Sequence, residues 1–211
     1  FRLCAHLLLA FFLLSYIFWI RLSINSKKKE DINSNHLIGV NVLLVFFVFQ
    51  VVFGAFIAGT KAGKLWNTFP LIEGYFFHAQ LLSIKPFYMN FFNNMMMFQF
   101  MHRIVAIILV AYCIYFFFKT SNERYSKYTG LLFMVIINQF IIGVITLLTK
   151  VQINLGVLHQ CVAIILMLLI IQIKHSSSSN QMNLGFMVVE NSETVLWNNS
   201  EILIKGVDYT I

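Results

Sequence analysis

Charged residues are scarce in this chain, making up 11% of its 211 residues against 59% that are hydrophobic, and its mean hydropathy is +0.80. A soluble domain averages roughly 25% charged and roughly 45–50% apolar residues. The composition therefore excludes an ordinary soluble domain and predicts a polytopic membrane protein. Proline is also rare, with two residues, so little interrupts long apolar helices.

Cysteine motifs are missing as well. Cys4, Cys113 and Cys161 all lie in or beside apolar segments, and no Cys-x-x-Cys occurs. This excludes a zinc site of the usual spacing and the covalent haem motif Cys-x-x-Cys-His, and it favours buried structural thiols. The net charge of +7 does not indicate a nucleic-acid partner, because the basic residues lie in short loops between apolar segments, where they determine topology.

Long apolar runs are what the sequence does contain. About 20 apolar residues suffice for a helix to cross a bilayer, and five runs reach that length, predicting an all-α membrane bundle. The predicted helices cover residues 3–22, 37–58, 98–118, 128–148 and 155–174. The connection 60–97 is rich in aromatic residues, which favours an ordered interfacial belt or a lid over a cofactor. Residues 175–211 are polar, and we expect a flexible tail.

Basic loop residues are distributed unequally between the two sides that alternating helices define. Eight lie on the side of loop 21–36 and four on the side of loop 60–97. Because Lys and Arg are enriched on the cytoplasmic or matrix side, loop 60–97 is predicted to be outer. His6, His102 and His159 stand near the beginnings of the first, third and fifth helices, so we expect all three at similar depth near the outer face.

Two of these histidines introduce the same pentapeptide. Val-Ala-Ile-Ile-Leu begins three residues after His102 and again three residues after His159. In both copies the alanine, Ala106 or Ala163, lies one helical turn from the histidine on the same face. Imidazoles on facing helices can hold a haem iron from both sides, and small residues beside them leave room for the macrocycle. The pattern favours bis-histidine haem ligation by His102 and His159.

Basic residues on the same predicted face extend the hypothesis. Arg103, Lys61, Lys64 and Lys85 could pair with haem propionates. Simpler alternatives remain open. A histidine in a membrane helix is often a hydrogen-bonded packing residue, small residues also serve helix contacts, and an arginine can extend its charge to the interface.

The remaining histidines are weaker candidates for the haem site. His36 and His175 lie towards the opposite side and are predicted to be solvated loop residues. His78 is on the outer side but within loop 60–97, where a role in the site is a minor alternative.

The motifs around these residues closely resemble the second half of haem A synthase, a membrane enzyme of bacteria and mitochondria that supports cytochrome c oxidase assembly. The resemblance covers about residues 2–173. It rests on Gly-Ala-Phe-Ile-Ala-Gly-Thr-Lys-Ala-Gly at 54–63, Trp-Asn-Thr-Phe-Pro-Leu at 66–71, Asn-Phe-Phe-Asn-Asn at 90–94, Gln-Phe-Met-His-Arg at 99–103, Gly-Val-Ile-Thr-Leu at 143–147 and Leu-His-Gln at 158–160.

The resemblance implies eight helices in two similar halves. Residues 1–22 would be the last helix of the N-terminal half, and residues 37–174 the complete C-terminal four-helix half. His102 and His159 would be the axial ligands of a resident b-type haem, and His6 one ligand of the substrate-haem site. The implied activity oxidises a ring methyl of haem O to the formyl group of haem A.

Other implications concern what the fragment lacks. Phe1 lies inside an apolar segment, so we expect a piece of a longer protein, inactive alone, with unidentified catalytic residues in the absent half. Asn93 and Gln152 stand where many relatives carry glutamate and proline, and the tail 175–211 resembles nothing in the family.

The resemblance also implies a setting. This is the mitochondrial inner membrane, or the plasma membrane in a bacterium, with a ferredoxin-type electron donor, haem O synthase and a second copy of the chain as further partners to consider. The alternative function is that of a non-catalytic membrane b-type cytochrome or haem-handling assembly protein.

Overall fold

Five long helices dominate the structure, a computed structural model that describes residues 2–24, 35–120 and 126–177. The helices are α1 Arg2–Ile24, α2 Asn35–Thr60, α4 Met95–Thr120, α5 Ser126–Leu148 and α6 Ile153–Ser177, and α3 is the single turn Asn90–Asn93. All five long helices are apolar and long enough to cross a membrane. The all-α class and the five spans are confirmed, and no helix end differs from its prediction by more than three residues.

The last helix continues beyond the predicted boundary. Residues 175–177 belong to α6 and are buried, so the polar tail does not begin at His175 as predicted. The tail from 178 onwards lies outside the described residues. The helix is held at this end because the His175 ring packs edge-to-face on Trp19 at 4.8 Å and its Nε2 lies 3.2 Å from Ser23 Oγ.

The prediction that His36 and His175 are solvated loop residues is wrong. His36 lies in the first turn of α2 and is 7% exposed, and His175 lies in the last turn of α6 and is 6% exposed. Hydropathy assigned both to loops because each stands next to a polar segment, whereas both side chains are buried and the His175 ring packs on Trp19 of α1.

The main apolar core occupies the half of the bundle that the basic loops adjoin. Every long helix contributes to one cluster of buried side chains, which includes Phe11, Leu43, Leu109, Leu132 and Leu166. Leu109 and Leu166 are the last residues of the two Val-Ala-Ile-Ile-Leu copies, and both are buried there. The repeated pentapeptide therefore marks equivalent packing positions on α4 and α6.

Helix α2 approaches α4 closely at a glycine. A Cβ on Gly39 would lie 2.6 Å from Phe116 Cε2, so only glycine leaves space for this ring. Tyr112 Oη also donates to the Gly39 carbonyl at 3.3 Å. Close packing and this hydrogen bond fix α2 against α4, the pair that carries the first candidate ligand.

The outer connection between α2 and α4 is folded, as its aromatic content predicts. It contains 3-10 turns at Ala62–Lys64, Ala79–Leu82 and Phe87–Met89. Ile72 and Leu81 are buried against the first turn of α4. Two asparagines bond this segment together: Asn90 Nδ2 donates to the Ile84 carbonyl at 2.8 Å, and Asn94 Nδ2 to the Gln80 carbonyl at 2.7 Å.

Candidate functional site

His102 lies between α4 and α2 and contacts two residues of α2. Its Nε2 lies 3.4 Å from Gln50 Nε2, within hydrogen-bond distance. A Cβ on Gly54 would lie 3.3 Å from His102 Cε1. Gln50 and Gly54 are four residues apart, one helical turn along the same face, so the glutamine holds the ring while the glycine provides the space for it.

His159 repeats this arrangement on the other helix pair. Its Nε2 lies 3.3 Å from Gln139 Nε2 on α5. A Cβ on Gly143 would lie 2.9 Å from His159 Cε1, closer than at the first site. Gln139 and Gly143 are again four residues apart, so both histidines occupy a Gln-x-x-x-Gly surface of the preceding long helix.

The two copies also leave the same atoms without partners. Five buried side-chain atoms lack a hydrogen bond among the described residues, and four of them are the Nδ1 of His102 and His159 and the Oε1 of Gln50 and Gln139. An unsatisfied buried polar atom costs about 1–3 kcal/mol, so its presence needs an explanation. A neutral imidazole has one nitrogen with a free lone pair, which is what a metal ion requires.

The surroundings of His159 are loosely packed by protein side chains. From residue 137 to residue 165, Thr146 is the only buried side chain on α5 and α6. A Cβ on Gly156, three residues before His159, would meet no atom within 4 Å. These features fit a flat macrocycle held between two histidines.

A larger cluster of metal-binding side chains is not found in the part of the chain that the structure describes. No group of three or more His, Cys, Asp or Glu side chains converges there. Of the eight acidic residues in the sequence, Glu73 alone falls within the described ranges. The donor set at this end of the bundle is therefore imidazole and amide, which suits an iron whose other ligands come from a porphyrin better than a bare divalent ion.

Arg103 is buried and holds the outer loop. It is 8% exposed, and its guanidinium donates to the carbonyls of Trp66, Pro70 and Leu71 at 3.2–3.3 Å and to Gln99 Oε1 at 2.7 Å. Its Nε is the fifth unpartnered atom. Within the described ranges no carboxylate balances this charge, so Arg103 both ties the loop to α4 and leaves a positive charge near the outer end of the bundle.

The other predicted site residues are on α1 or in the outer loop. His6 is exposed on α1, whose first turn reaches the outer end of α2, where Leu3 Cδ2 would lie 3.7 Å from a Cβ on Gly59. The loop lysines are exposed. His78 caps a 3-10 turn, its Nδ1 accepting from the backbone N–H of Gln80 at 3.2 Å.

Sequence reasoning did not single out Gln50 and Gln139. The signal was present, since Gln-x-x-x-Gly occurs on the helix before each candidate ligand. Gly54 and Gly143 had been noticed only as parts of longer motifs. Their role depends on which face of α2 and α5 meets the histidines, and this becomes visible only in three dimensions.

The sequence of this chain is similar to those of known proteins. The family model for cytochrome oxidase assembly protein (COX15-CtaA) matches residues 1–171. Similar proteins include the heme A synthase of Wolbachia sp. subsp. Brugia malayi (strain TRS), 36% identical over 169 residues, which are 79% of this chain and 50% of the relative. The heme A synthase of Nitrosospira multiformis is 35% identical over 184 residues, 83% of this chain and 51% of the relative.

The chain thus spans about half the length of the curated relatives it matches. No solved structure matches it. The match along residues 1–171 and the five membrane-spanning helices lead to one conclusion: this multi-pass membrane chain belongs to the COX15-CtaA family of cytochrome oxidase assembly proteins.

Proposed function

We propose that this chain is the haem-holding half of a haem A synthase and binds a b-type haem between His102 and His159. The observation that carries the proposal is the duplicated site, in which two part-buried histidines on α4 and α6 each lie against a Gln-x-x-x-Gly surface of the preceding long helix. The named relatives are heme A synthases, and the proposed overall reaction oxidises a ring methyl of haem O to the formyl group of haem A.

Each residue of the site has a separate task in this proposal. His102 and His159 supply the two axial nitrogens, and the bound haem would supply one-electron redox chemistry. Arg103 contributes positive charge for the propionates, because its two terminal nitrogens are bonded to loop carbonyls and to Gln99 Oε1, while its Nε and its charge have no partner among the described residues. The folded segment 61–94 covers this end of the bundle and limits access of water.

The proposed substrate ligand His6 is on α1, a helix that carries neither His102 nor His159. Its exposure agrees with a surface that faces further protein, and we infer that the substrate haem binds beside α1. The catalytic residues of the oxidation are proposed to lie in the other half of the relatives' length. Haem O is the substrate, and a ferredoxin-type donor, haem O synthase and a second copy of the chain are the partners to test.

Which membrane contains the chain depends on the organism that makes it. The similar heme A synthases come from bacteria, which favours the plasma membrane. For a mitochondrial protein we propose the inner membrane, with His102 and His159 towards the intermembrane space.

A second candidate is a non-catalytic membrane b-type cytochrome. One observation favours it: Glu73 is the sole carboxylate of the described ranges, and it lies in the loop. No acidic side chain is therefore available on the described helices to move a proton during oxidation. The two candidates share the haem site and differ in whether the assembled protein converts haem O.

The first experiment is a reduced-minus-oxidised optical spectrum of the purified, detergent-solubilised chain. We expect a low-spin b-type spectrum that is lost in His102→Ala and in His159→Ala. His78→Ala, which changes a loop histidine, is the matched control and should keep the spectrum. Retention of the low-spin spectrum in either ligand variant would exclude the ligand pair. Conversion of haem O to haem A by membranes containing the complete protein then separates the two candidates.

A further inference from the structure

We propose that the groove between α1, α2 and α6 binds one acyl chain of an anionic phospholipid, whose phosphate is held by Lys174. The groove lies towards the end of the bundle that the basic loops adjoin, whereas His102 and His159 lie nearer the other ends of their helices. Lipid binding in this groove does not require haem, so either site can be tested without the other.

The groove is long and apolar. It has a volume of about 600 Å³, and on α1 it is lined from Leu8 to Trp19. These residues span about 16 Å of helix, close to one leaflet, or half of the roughly 30 Å hydrocarbon core of a bilayer. Among the lining side chains, Phe11 and Phe47 are buried and pack edge-to-face at 5.8 Å, whereas Phe12 is exposed. The groove therefore has a packed floor and an open side.

The width of the groove favours a hydrocarbon chain over a protein helix. Distributed along about 16 Å, its volume corresponds to a mean cross-section of about 40 Å², roughly half of what a helix of about 10–12 Å diameter occupies. The Ser15 hydroxyl in the lining already donates to the Phe11 carbonyl at 2.7 Å, so it needs no hydrogen bond from the occupant. A narrow apolar groove on a membrane-spanning bundle fits an acyl chain.

Lys174 provides charge complementarity for the headgroup. It lines the groove and lies about 31 Å along α6 from Ile153, at the level of the lipid headgroups on the side of the basic loops. Its side chain is half-buried and makes no hydrogen bond or ion pair among the described residues. Basic pockets between membrane helices on the cytoplasmic or matrix side, which the loop charges predict for this end, recognise anionic headgroups.

The face of α1 that borders the groove is not the face that carries His6. Ser15 follows His6 by nine residues, or roughly two and a half helical turns, so the two side chains lie on opposite sides of α1. The surface around His6 is the one proposed to face further protein. The groove is therefore left to membrane lipid.

The test is a lipid titration of the purified full chain in detergent. Phosphatidylglycerol and phosphatidylcholine with identical acyl chains are added separately, and native mass spectrometry gives the dissociation constant of the first bound lipid molecule. We expect the chain to bind phosphatidylglycerol about fivefold more tightly, the factor that one basic residue near an anionic lipid surface contributes. Lys174→Gln should remove this preference, and Lys174→Arg should retain it.

Lys119→Gln is the matched control for charge. Lys119 lies in the last turn of α4, at the same end of the bundle, but it is exposed and does not line the groove. Its ammonium instead lies 5.6 Å from the centre of the Tyr115 ring. Removing this charge should leave the preference for phosphatidylglycerol as in the unmodified chain.

Val48→Trp tests the place of the acyl chain. Val48 lines the groove on α2 and is exposed, so a larger ring can extend into the groove without displacing the buried floor. This variant should bind both lipids more weakly by a similar factor and keep the ratio of their affinities.

The outcomes decide between the possible occupants. Loss of the preference in Lys174→Gln but not in Lys119→Gln, with weaker binding of both lipids by Val48→Trp, supports the lipid site. Equal affinity for the two lipids in the unmodified chain, or an equal loss in Lys119→Gln, overturns it, because the charge of Lys174 then has no specific task. Unchanged lipid binding by Val48→Trp also overturns it. A lipid-free dimer that Val48→Trp converts to monomers would assign the groove to a second copy of the chain and overturn the lipid site.

Discussion

Gly143→Ala offers a sharp test of the packing around the second histidine. The added Cβ would lie 2.9 Å from His159 Cε1, whereas ordinary contacts of this kind begin at 3.4 Å. The ring must therefore withdraw by about 0.5 Å, which reaches the limit of about 0.5 Å within which the groups of a functional site must be held. At Gly54 the corresponding distance to His102 Cε1 is 3.3 Å, so the first ring needs to move only about 0.1 Å.

These distances predict an order of effects. Gly143→Ala should weaken haem binding by about tenfold to a hundredfold, and Gly54→Ala by a much smaller factor. The stability of the haem-free Gly143→Ala protein should not fall with its haem affinity. Alanine stabilises a helix interior relative to glycine by roughly 0.5–1 kcal/mol, which offsets the cost of moving the ring. A lower haem content without a lower thermal denaturation midpoint of the haem-free protein is thus the expected signature of Gly143→Ala.

The measurement is haem titration of the purified apoprotein, followed by the Soret band. Gly130→Ala is the control on the same helix, since a Cβ there would meet Phe117 Cε2 at an ordinary 3.6 Å. The reasoning is refuted if Gly143→Ala binds haem as tightly as the unmodified chain, or if Gly54→Ala has the larger effect.

Three further substitutions test other parts of the structure. Arg103→Met should leave loop carbonyls without a hydrogen-bond donor and accelerate proteolysis within residues 61–94. Arg103→Lys should be cleaved as readily, because one ammonium group cannot make the several hydrogen bonds of the planar guanidinium. Asn94→Ala removes the side chain that accepts from the backbone N–H of Met96 at the start of α4, and it should cost about 0.5–2 kcal/mol in thermal unfolding. Leu43→Ala, in the fully buried core, should cost about 2–5 kcal/mol in the same assay.

The helices could be predicted from sequence because each of the five spans is a single apolar run with few interruptions. In a bilayer the backbone hydrogen bonds must be made within the segment, so length and hydropathy suffice. The same method misassigned His36 and His175, because it counts polarity along the chain and has no information about neighbours. Trp19 and Ser23, which contact His175, are more than 150 residues away in sequence.

The candidate site was predictable only in part. His102 and His159 were found because they introduce the same pentapeptide, a signal contained in single helices. Gln50 and Gln139 were not, because their importance arises from contacts between different helices. The sequence predicts that Arg103 pairs with an anionic ligand. It does not predict that Arg103 holds the outer loop, because the hydrogen bonds from its side chain to loop carbonyls depend on how residues 61–94 fold back.

The two ends of the bundle differ in a way that separates stability from function. The end that contains Leu43, Leu132 and Leu166 is filled by protein side chains, so substitutions there remove apolar contacts that hold the helices together. Between residues 137 and 165 of α5 and α6, Thr146 alone is buried, and Gln139 and His159, which meet there, each keep one atom without a partner among the described residues. Polar groups left unsatisfied in the folded state lower its stability, a cost typical of functional sites. Substitutions at the first end should therefore lower the denaturation midpoint and leave the spectrum of bound haem unchanged, while substitutions of the glutamines or glycines should alter the haem and change the midpoint little.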